Sequence, residues 1–581
     1  MGPGPRARRW VLDAWPLLLA VVLTLPLLRQ PGHPLARDLV FVPHQPWTDA
    51  VLGLGDTPPR AVPLDAVVSV LTGHLLDGGL VARVAIPLIL AAAGWGAHRL
   101  VGGLGTPARL AAGGLAVWNP YVVERLALGQ WALLGAYAAL PWLLAAARRF
   151  RLGGRAADAG ATAGWLGLAS LTPTGGLIGS AAVLTAGWSR SLRRTAVLLA
   201  GCLVLQLPWL VPSLLASSAF GSDPRSVEAF SADADGPGGV LVALLGLGGI
   251  WDRGSVPVTR GAWWGPVTAA VVVVALVVGW TTLRRIWGRG DLVRVAALAT
   301  AGLLLALLSS LPIGVDVVGW VVSHVPGGGL LRDSQKLLAP WVVLAVAAVA
   351  AAVDRGARAA AAAGSEVVGS VGVAAVLLPL VLLPDGARTA WPTLEPVTYP
   401  PGLAASAELV GSDRGTLVTL PWRSYRRFSW GNGLTSSDPA VRWFDTDVLT
   451  SDDLQVGPVL LRGEGARAAA LGRALETEPT AQALRAAGVT WALVYRDDPA
   501  AADLDLAGLD LAYRDDLLAL YRVPGVSARV EASWPERVAA VAAFAVAAAV
   551  SLAGAAVATS SRLRANRRRG ATLGDDEREN S

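Results

Sequence analysis

The chain has 581 residues, 53% of them hydrophobic and only 16% charged, with a mean hydropathy of +0.50. Soluble domains carry about 25% charged residues, so this composition excludes an ordinary soluble globule and favours lipid. The net charge of +6 does not point to nucleic acid, because the arginines stand in short runs between apolar blocks, where the positive-inside rule wants them. The single cysteine, Cys202, excludes a disulfide framework or a thiolate metal site. The five histidines (His33, His44, His74, His98 and His324) are scattered, without the paired spacing that binds zinc on one helix face.

In chain order, Arg6, Arg8 and Arg9 precede an apolar run over residues 11–28 that only Asp13 interrupts. No small-residue cleavage site follows, so the run reads as an uncleaved first helix with its N-terminus inside. Further apolar segments fall at about 80–100, 106–118, 130–147, 159–172, 174–188, 195–215, 262–281, 292–311, 336–353, 365–383 and 538–558. About 18 apolar residues cross a hydrocarbon core of about 30 Å. Most segments meet that length, while the third, fifth and sixth are short and glycine-rich. If the first span starts inside, the links after even-numbered spans must be cytoplasmic. They hold His98-Arg99, Arg148 to Arg151, Arg190 to Arg194, Arg284 to Arg289 and Asp354 to Arg358, and the tail holds Arg562, Arg564 and Arg567 to Arg569. Every even link is basic, which predicts twelve spans in the plasma membrane with both termini cytoplasmic.

The expected fold is an all-α polytopic membrane bundle of about twelve transmembrane helices with a smaller extracytoplasmic α/β domain. Residues 1–383 form the membrane domain, including a long first outer loop at 29–79. Residues 384–535 form the outer domain, 536–558 the last span, and 559–581 a basic, then acidic, cytoplasmic tail. In the outer domain, 416–420, 491–495 and 518–523 read as strands, and 466–475 and 480–487 as helices. In the first loop, 64–76 has apolar residues at helical spacing opposite Asp65, Ser69 and Thr72. It reads as a helix lying on the membrane surface, or as an ordinary helix packed on the bundle.

Three polar clusters fall at the outer boundary. In Arg37-Asp38, just beyond the first span, a carboxylate near the bilayer could act as general base toward a sugar hydroxyl; the plainer reading is an Arg37–Asp38 surface pair or a strand cap. Asp49, Asp56 and Asp65 of the same loop read as turn or cap residues. The second cluster is 118–131, where Asn119, Glu124, Arg125 and Gln130 stand among Trp118, Tyr121 and Trp131. The aromatics read as interfacial anchors. Glu124 is the second candidate base, with a Glu124–Arg125 surface pair as the alternative. The third cluster is Arg332-Asp-Ser-Gln-Lys336. Arg332 and Lys336, four residues apart, would share one face of a helix and could clamp a phosphate; snorkelling side chains are the alternative. Lys336 is the only lysine of the chain.

With its long first outer loop carrying an early Asp, multi-helix core and C-terminal outer domain, the chain resembles the GT-C superfamily of membrane glycosyltransferases. Trp118-Asn-Pro-Tyr with Glu124 and Gly129-Gln130-Trp131, and Arg332-Asp-Ser-Gln-Lys336, resemble motifs of the membrane region of actinobacterial arabinofuranosyltransferases. Pro421-Trp422 and the segment 488–495 resemble the outer domain of YfhO-like proteins. The chain departs from the pattern in lacking an adjacent acidic pair in the first loop. The resemblance implies a polyprenyl-phosphate sugar donor, with arabinofuranose as one such sugar, and an acceptor glycan or glycolipid of the cell envelope. Asp38 would be the base, with Glu124 next in line, and Arg37, Asn119, Gln130, Arg332, Asp333, Gln335 and Lys336 would bind substrate. No cofactor is implied with certainty, and a divalent cation has no clear ligand set. The other readings are a non-catalytic glycolipid-binding or scaffold protein of the same fold, and a lipid or polysaccharide transporter.

Overall fold

The structure, a computed structural model, describes residues 5–579 apart from 57, 58, 60, 74, 216–221, 326, 363–367, 412–414 and 527–531. His74 therefore lies outside the described residues. Every predicted apolar segment is mainly helical over its described residues, and 365–367, the start of the segment at 365–383, lie outside them. Among the described residues, seven helices are long and apolar enough to cross a membrane: Gly78–Leu100, Trp131–Gly153, Leu192–Leu215, Trp264–Trp287, Arg289–Leu308, Ser334–Ala362 and Trp534–Ser561. An eighth crossing arises if Gly369–Leu382 and Gly386–Leu394, bent by 56° at their junction, count as one span. The chain is a multi-pass membrane protein.

The shortfall against twelve has a geometric reason. Thr106–Val117, Ala156–Ala169 and Pro173–Gly187 have 12, 14 and 15 residues. At 1.5 Å per residue they reach only about 18–23 Å, short of a 30 Å core. The helix Pro5–Leu23 carries Asp13 and an interior Pro16. Of these, Thr106–Val117 is almost wholly buried in the bundle, whereas Pro5–Leu23 leaves Trp10, Val11, Leu17 and Leu18 exposed. Ala156–Ala169 lies against the last helix through a seam of small residues, where a side chain on Gly160 would strike the Gly554 carbonyl. At the centre runs Ala339–Ala362, in which every residue from Ala339 to Ala351 is buried. A helix that is apolar all round belongs in the interior, and this one does.

Helix starts follow the sequence. The Asn119 side chain accepts from the Val122 amide (3.1 Å) ahead of Pro120, and Thr172 accepts from Gly175 (3.1 Å) ahead of Pro173. Both pair an N-cap side chain with proline at the first helical position.

The region beyond residue 384 holds a five-stranded mixed sheet in the order Asp510–Arg514, Leu518–Arg522, Val489–Tyr495, Thr416–Leu420, Asp447–Leu449. The last three run parallel, and the first two form an antiparallel hairpin on Val489–Tyr495. Thr416–Leu420 and Val489–Tyr495 are buried throughout, so they read as continuous apolar runs. Ala466–Thr477 and Thr480–Ala486 are the expected helices. The strands at 447–449 and 510–514 escaped the sequence because one is three residues long and the other is a largely exposed edge.

The first loop is built into this sheet region. His33–Ala36 pairs antiparallel with Leu39–Val40 and with Pro396–Val397. Leu35, Val40 and Val42 share a core with Leu417, Leu493 and Leu520, so a boundary drawn at 384 cuts through one packed unit. The loop acids reach far along the chain. Asp49 pairs with Arg537 (2.7 Å) and Asp65 with Arg442 (3.2 Å). Asp56 accepts the Arg467 and Ala468 amides (3.2 and 3.0 Å), capping the helix Ala466–Thr477. Leu64–Thr72 is a helix, but Ser69 and Thr72 face inward, bonded to the Gln45 backbone at 3.1 Å each, while Val67 and Val70 point out.

Candidate functional site

Two of the three polar clusters, with Lys336 and Asp333 from the third, meet in one hydrogen-bonded chain. Asp38 follows Arg37, which takes a left-handed φ of 55° rarely adopted by residues other than glycine. The turn is held from several sides. The Arg37 amide donates to the Thr435 carbonyl (2.7 Å), the Ser437 amide donates back to the Arg37 carbonyl (2.9 Å), and the Asp38 amide donates to Leu128 (3.3 Å). The Arg37 guanidinium pairs with Asp252 and donates to Ser255 Oγ (2.8 Å), so the expected Arg37–Asp38 surface pair is replaced by a long-range one. Gly129, at φ 85°, lets this turn lie directly on the next helix start, because a side chain there would overlap the Leu39 amide.

Asp38 Oδ2 accepts from Gln130 Nε2 at 3.2 Å. Gln130 Oε1 accepts in turn from Arg125 Nη1 at 2.7 Å. Arg125 grips Asp333 with both Nη atoms at 2.8 and 2.9 Å and also donates to Gln335. Asp333 Oδ2 lies 3.3 Å from Lys336 Nζ. Asp38–Gln130–Arg125–Asp333–Lys336 therefore forms a continuous network from three distant stretches of sequence. Burial pushes the Asp333 carboxyl up, but Arg125 and Lys336 outweigh it and hold the group well below the usual carboxylate range. Arg125 is fully buried, whereas the Lys336 side chain keeps 24% exposure, so the network runs from interior to surface.

The remaining candidates are placed differently. Asn119 is engaged as the helix cap, and its amide donates to the Leu115 and Ala116 carbonyls (2.8 and 3.3 Å). Gln335 is fully buried and donates to the Gly248 carbonyl (3.0 Å). Arg332 and Lys336 do not share an α-helical face. Two 3-10 stretches, Gly328–Leu331 and Ser334–Leu338, flank Arg332 and Asp333, and Arg332 turns toward Glu464 (3.5 Å) and over the Phe230 ring. Arg332 still belongs, with Arg125, Asp333 and Asp38, to the charges around Lys336.

Glu124 faces away from this network. It is fully buried 3.6 Å from Arg260, which also holds Asp235 at 2.5 Å. Neither Glu124 oxygen has a hydrogen-bond partner of good geometry among the described residues, although the Ile250 amide lies near. Burial, and then the nearby Asp235, raise its carboxyl well above the ordinary value. The surface Glu124–Arg125 pair is thus overturned by burial of both residues. Trp118, Tyr121 and Trp131 are likewise core residues, at 4%, 0% and 8% exposure, rather than interfacial anchors. The Tyr121 hydroxyl donates to the Lys336 carbonyl (2.9 Å), fixing the third cluster against the second.

No family model and no curated protein matches the chain. Solved structures do. Arabinofuranosyltransferase AftD from Mycobacteria superposes with a TM-score of 0.57 at 17% identity, over 91% of this chain and 40% of that one. A mutant form of AftD gives 0.55 at 16% identity, over 90% and 42%. The chain is similar to AftD in fold. At this identity the likeness is one of fold, and the chain spans about 40% of the AftD length.

Within this AftD-like fold, several residues of the site carry no recognisable sequence pattern. The Tyr425 hydroxyl lies 2.5 Å from Asp38 Oδ1, across 387 positions of chain. Asp252 and Glu464 are similarly remote from the arginines they hold. Arg260 did leave a trace, as a basic residue just before the apolar segment at 262–281. Among the described residues no three His, Cys, Asp or Glu side chains converge where a cation could be held.

Proposed function

We propose that the protein is a membrane glycosyltransferase of the GT-C kind. In this reading it transfers a sugar, arabinofuranose by analogy with AftD, from a polyprenyl-phosphate donor to a glycan or glycolipid of the cell envelope. The observation that carries the reading is the continuous network from Asp38 to Lys336, which sets a carboxylate and a partly exposed cation at the two ends of one preorganised chain. The AftD-like fold supports it.

In this reading the donor lipid lies between helices with its phosphate at Lys336 and Arg332. The acceptor hydroxyl oxygen attacks the anomeric carbon while the bond from that carbon to the phosphate oxygen breaks. The hydroxyl proton passes to Asp38, and the bonding pair leaves with the lipid phosphate, whose charge Lys336 and Arg332 stabilise. A single displacement with one base inverts the anomeric centre, by analogy with inverting glycosidases. Arg125 and Asp333 hold the cation and the base in register, and buried Glu124 has no part in proton transfer. The site lies on the outer face, opposite the arginine-rich links.

The test uses labelled polyprenyl-phosphate sugars with envelope acceptors in sealed vesicles of known orientation. Wild-type protein should transfer label when donor and acceptor meet the outer face. Asp38→Asn, nearly isosteric, should lose about a hundred- to ten-thousandfold in rate with unchanged thermal stability. Full activity in that variant would remove the base assignment. Donor binding without transfer would favour the glycolipid-binding alternative, donor translocation the transporter, and transfer from the inner face alone would reverse the topology.

A further inference from the structure

Asp38 is approached by a group that none of the sequence clusters contains. The Tyr425 hydroxyl lies 2.5 Å from Oδ1, the oxygen that Gln130 leaves free. Tyr425 stands on a two-residue strand, Tyr425–Arg426, paired antiparallel with Ser436–Ser437. That hairpin is bolted to the five-stranded sheet. The buried Arg426 donates to Asp438 (2.8 Å), Thr419 Oγ1 (3.1 Å) and the Pro421 carbonyl (2.7 Å), and lies over the Tyr495 ring. Asp438 also accepts from the Tyr495 hydroxyl (2.7 Å). From the other arm of the hairpin, Thr435 and Ser437 grip the Arg37 backbone, and Arg37 bridges Ser436. One rigid hairpin thus holds both the strained turn that carries Asp38 and one oxygen of its carboxylate.

We infer that Tyr425 is a positioning residue for Asp38, and that the hairpin of the sheet region completes the catalytic site. This rests on the assignment of Asp38 as base. A carboxylate on a short side chain rotates readily. Hydrogen bonds to each oxygen fix its plane, so that one remaining lone pair is aimed at the acceptor hydroxyl before substrate arrives. The other charges facing Asp38 are Arg37 beside it, Lys336 opposite, and Arg125 through Gln130.

The test is Tyr425→Phe in the full chain, measured beside Asp38→Asn with a polyprenyl-phosphate sugar donor. Loss of one hydrogen bond to a charged group should lower kcat about 10- to 100-fold while leaving donor KM within about twofold. Thermal stability should stay near wild type, because the rest of the hairpin keeps its bonds to the sheet. Replacing Tyr425 by a fluorotyrosine, whose phenol keeps the shape and still donates, should restore kcat to near wild type with full stability. A loss of rate in Tyr425→Phe that comes with an equal rise in donor KM, or that the fluorotyrosine does not rescue, would make the residue merely structural and overturn the inference. Wild-type kcat in Tyr425→Phe, with Asp38→Asn inactive, would overturn it while sparing the base. An active Asp38→Asn would instead bring down the underlying reading.

Discussion

Glu124 and Arg125 are adjacent on one short helix, Pro120–Ala127, yet they serve two different buried networks. Successive helix positions do not face each other, so the two side chains leave in different directions. Arg125 enters an open network: its charge is matched by Asp333, its remaining bonds reach Gln130 and Gln335, and the chain ends at Asp38 and the partly exposed Lys336. Glu124 enters a closed one, in which Arg260 and Asp235 are 0% and 1% exposed and two carboxyl groups share a single cation. Arg260 donates its other bonds to the Gly246 and Ala243 carbonyls (3.1 and 3.3 Å) at the end of the helix Gly239–Leu245, next to Gly248, which accepts from Gln335. The open network has the build of a site, preorganised inside and accessible at its ends. The closed one has the build of a strut that shapes the loop behind that site. Both are buried ion networks, and the difference between them is connection to solvent.

That contrast breaks first at Arg260. Arg260→Leu leaves two buried carboxyl groups without a cation, which should cost about 3–5 kcal/mol and show as lost folded yield and a lower Tm in detergent. Asp235→Asn added to the same background should recover part of the loss, since one fewer charge is then stranded. Unchanged stability in Arg260→Leu would mean that water reaches the cluster, and the distinction between closed and open would fail.

The open network sharpens at Lys336. A lysine standing alone in an arginine-rich chain suggests a contact that the forked guanidinium does not fit, such as a point contact to phosphate. Lys336→Ala should lower kcat/KM by about a hundredfold and weaken donor binding, and Lys336→Arg, which keeps the charge, by about tenfold. Thermal stability should move little, because the side chain is partly exposed and Arg125 still neutralises Asp333. Wild-type kinetics in Lys336→Ala would leave the network with no substrate at its outer end.

Much of this was legible in the sequence, and the parts that were not share a cause. The helices and the inner strands 416–420 and 489–495 announce themselves through burial, which demands long apolar runs. The motif segments at 37–38, 118–131 and 332–336 could be singled out because charge is expensive beside a bilayer. What could not be read is which atoms meet. Asn119 is polar because it caps a helix, and Tyr121 is aromatic because it fills the core and bonds a backbone carbonyl; neither sits at an interface. Tyr425 lies in Ser-Tyr-Arg-Arg-Phe, a stretch with no periodicity, and gains meaning only when the hairpin brings it to Asp38. The helical pairing of Arg332 with Lys336 failed because Asp333, drawn inward by Arg125, interrupts the helix between them.

The smallest effect belongs to Glu124, and its sign discriminates best between the two networks. Burial and Asp235 raise its carboxyl well above the ordinary value, so the folded protein holds a proton that the unfolded chain releases above a pH of about 4.3. For an acid raised in this way, stability is fully present below the unfolded value and is lost as pH rises toward the folded one. Glu124→Gln keeps the shape and never ionises, so it lacks that slope. Its Tm should match wild type near about pH 4–5 and exceed it by a growing margin of a few degrees toward about pH 8, while the transfer rate of the folded protein stays near wild type. A margin that does not change with pH would mean that Glu124 is ionised in the fold. A large loss of transfer without loss of stability would return Glu124 to the catalytic network and join the two clusters into one.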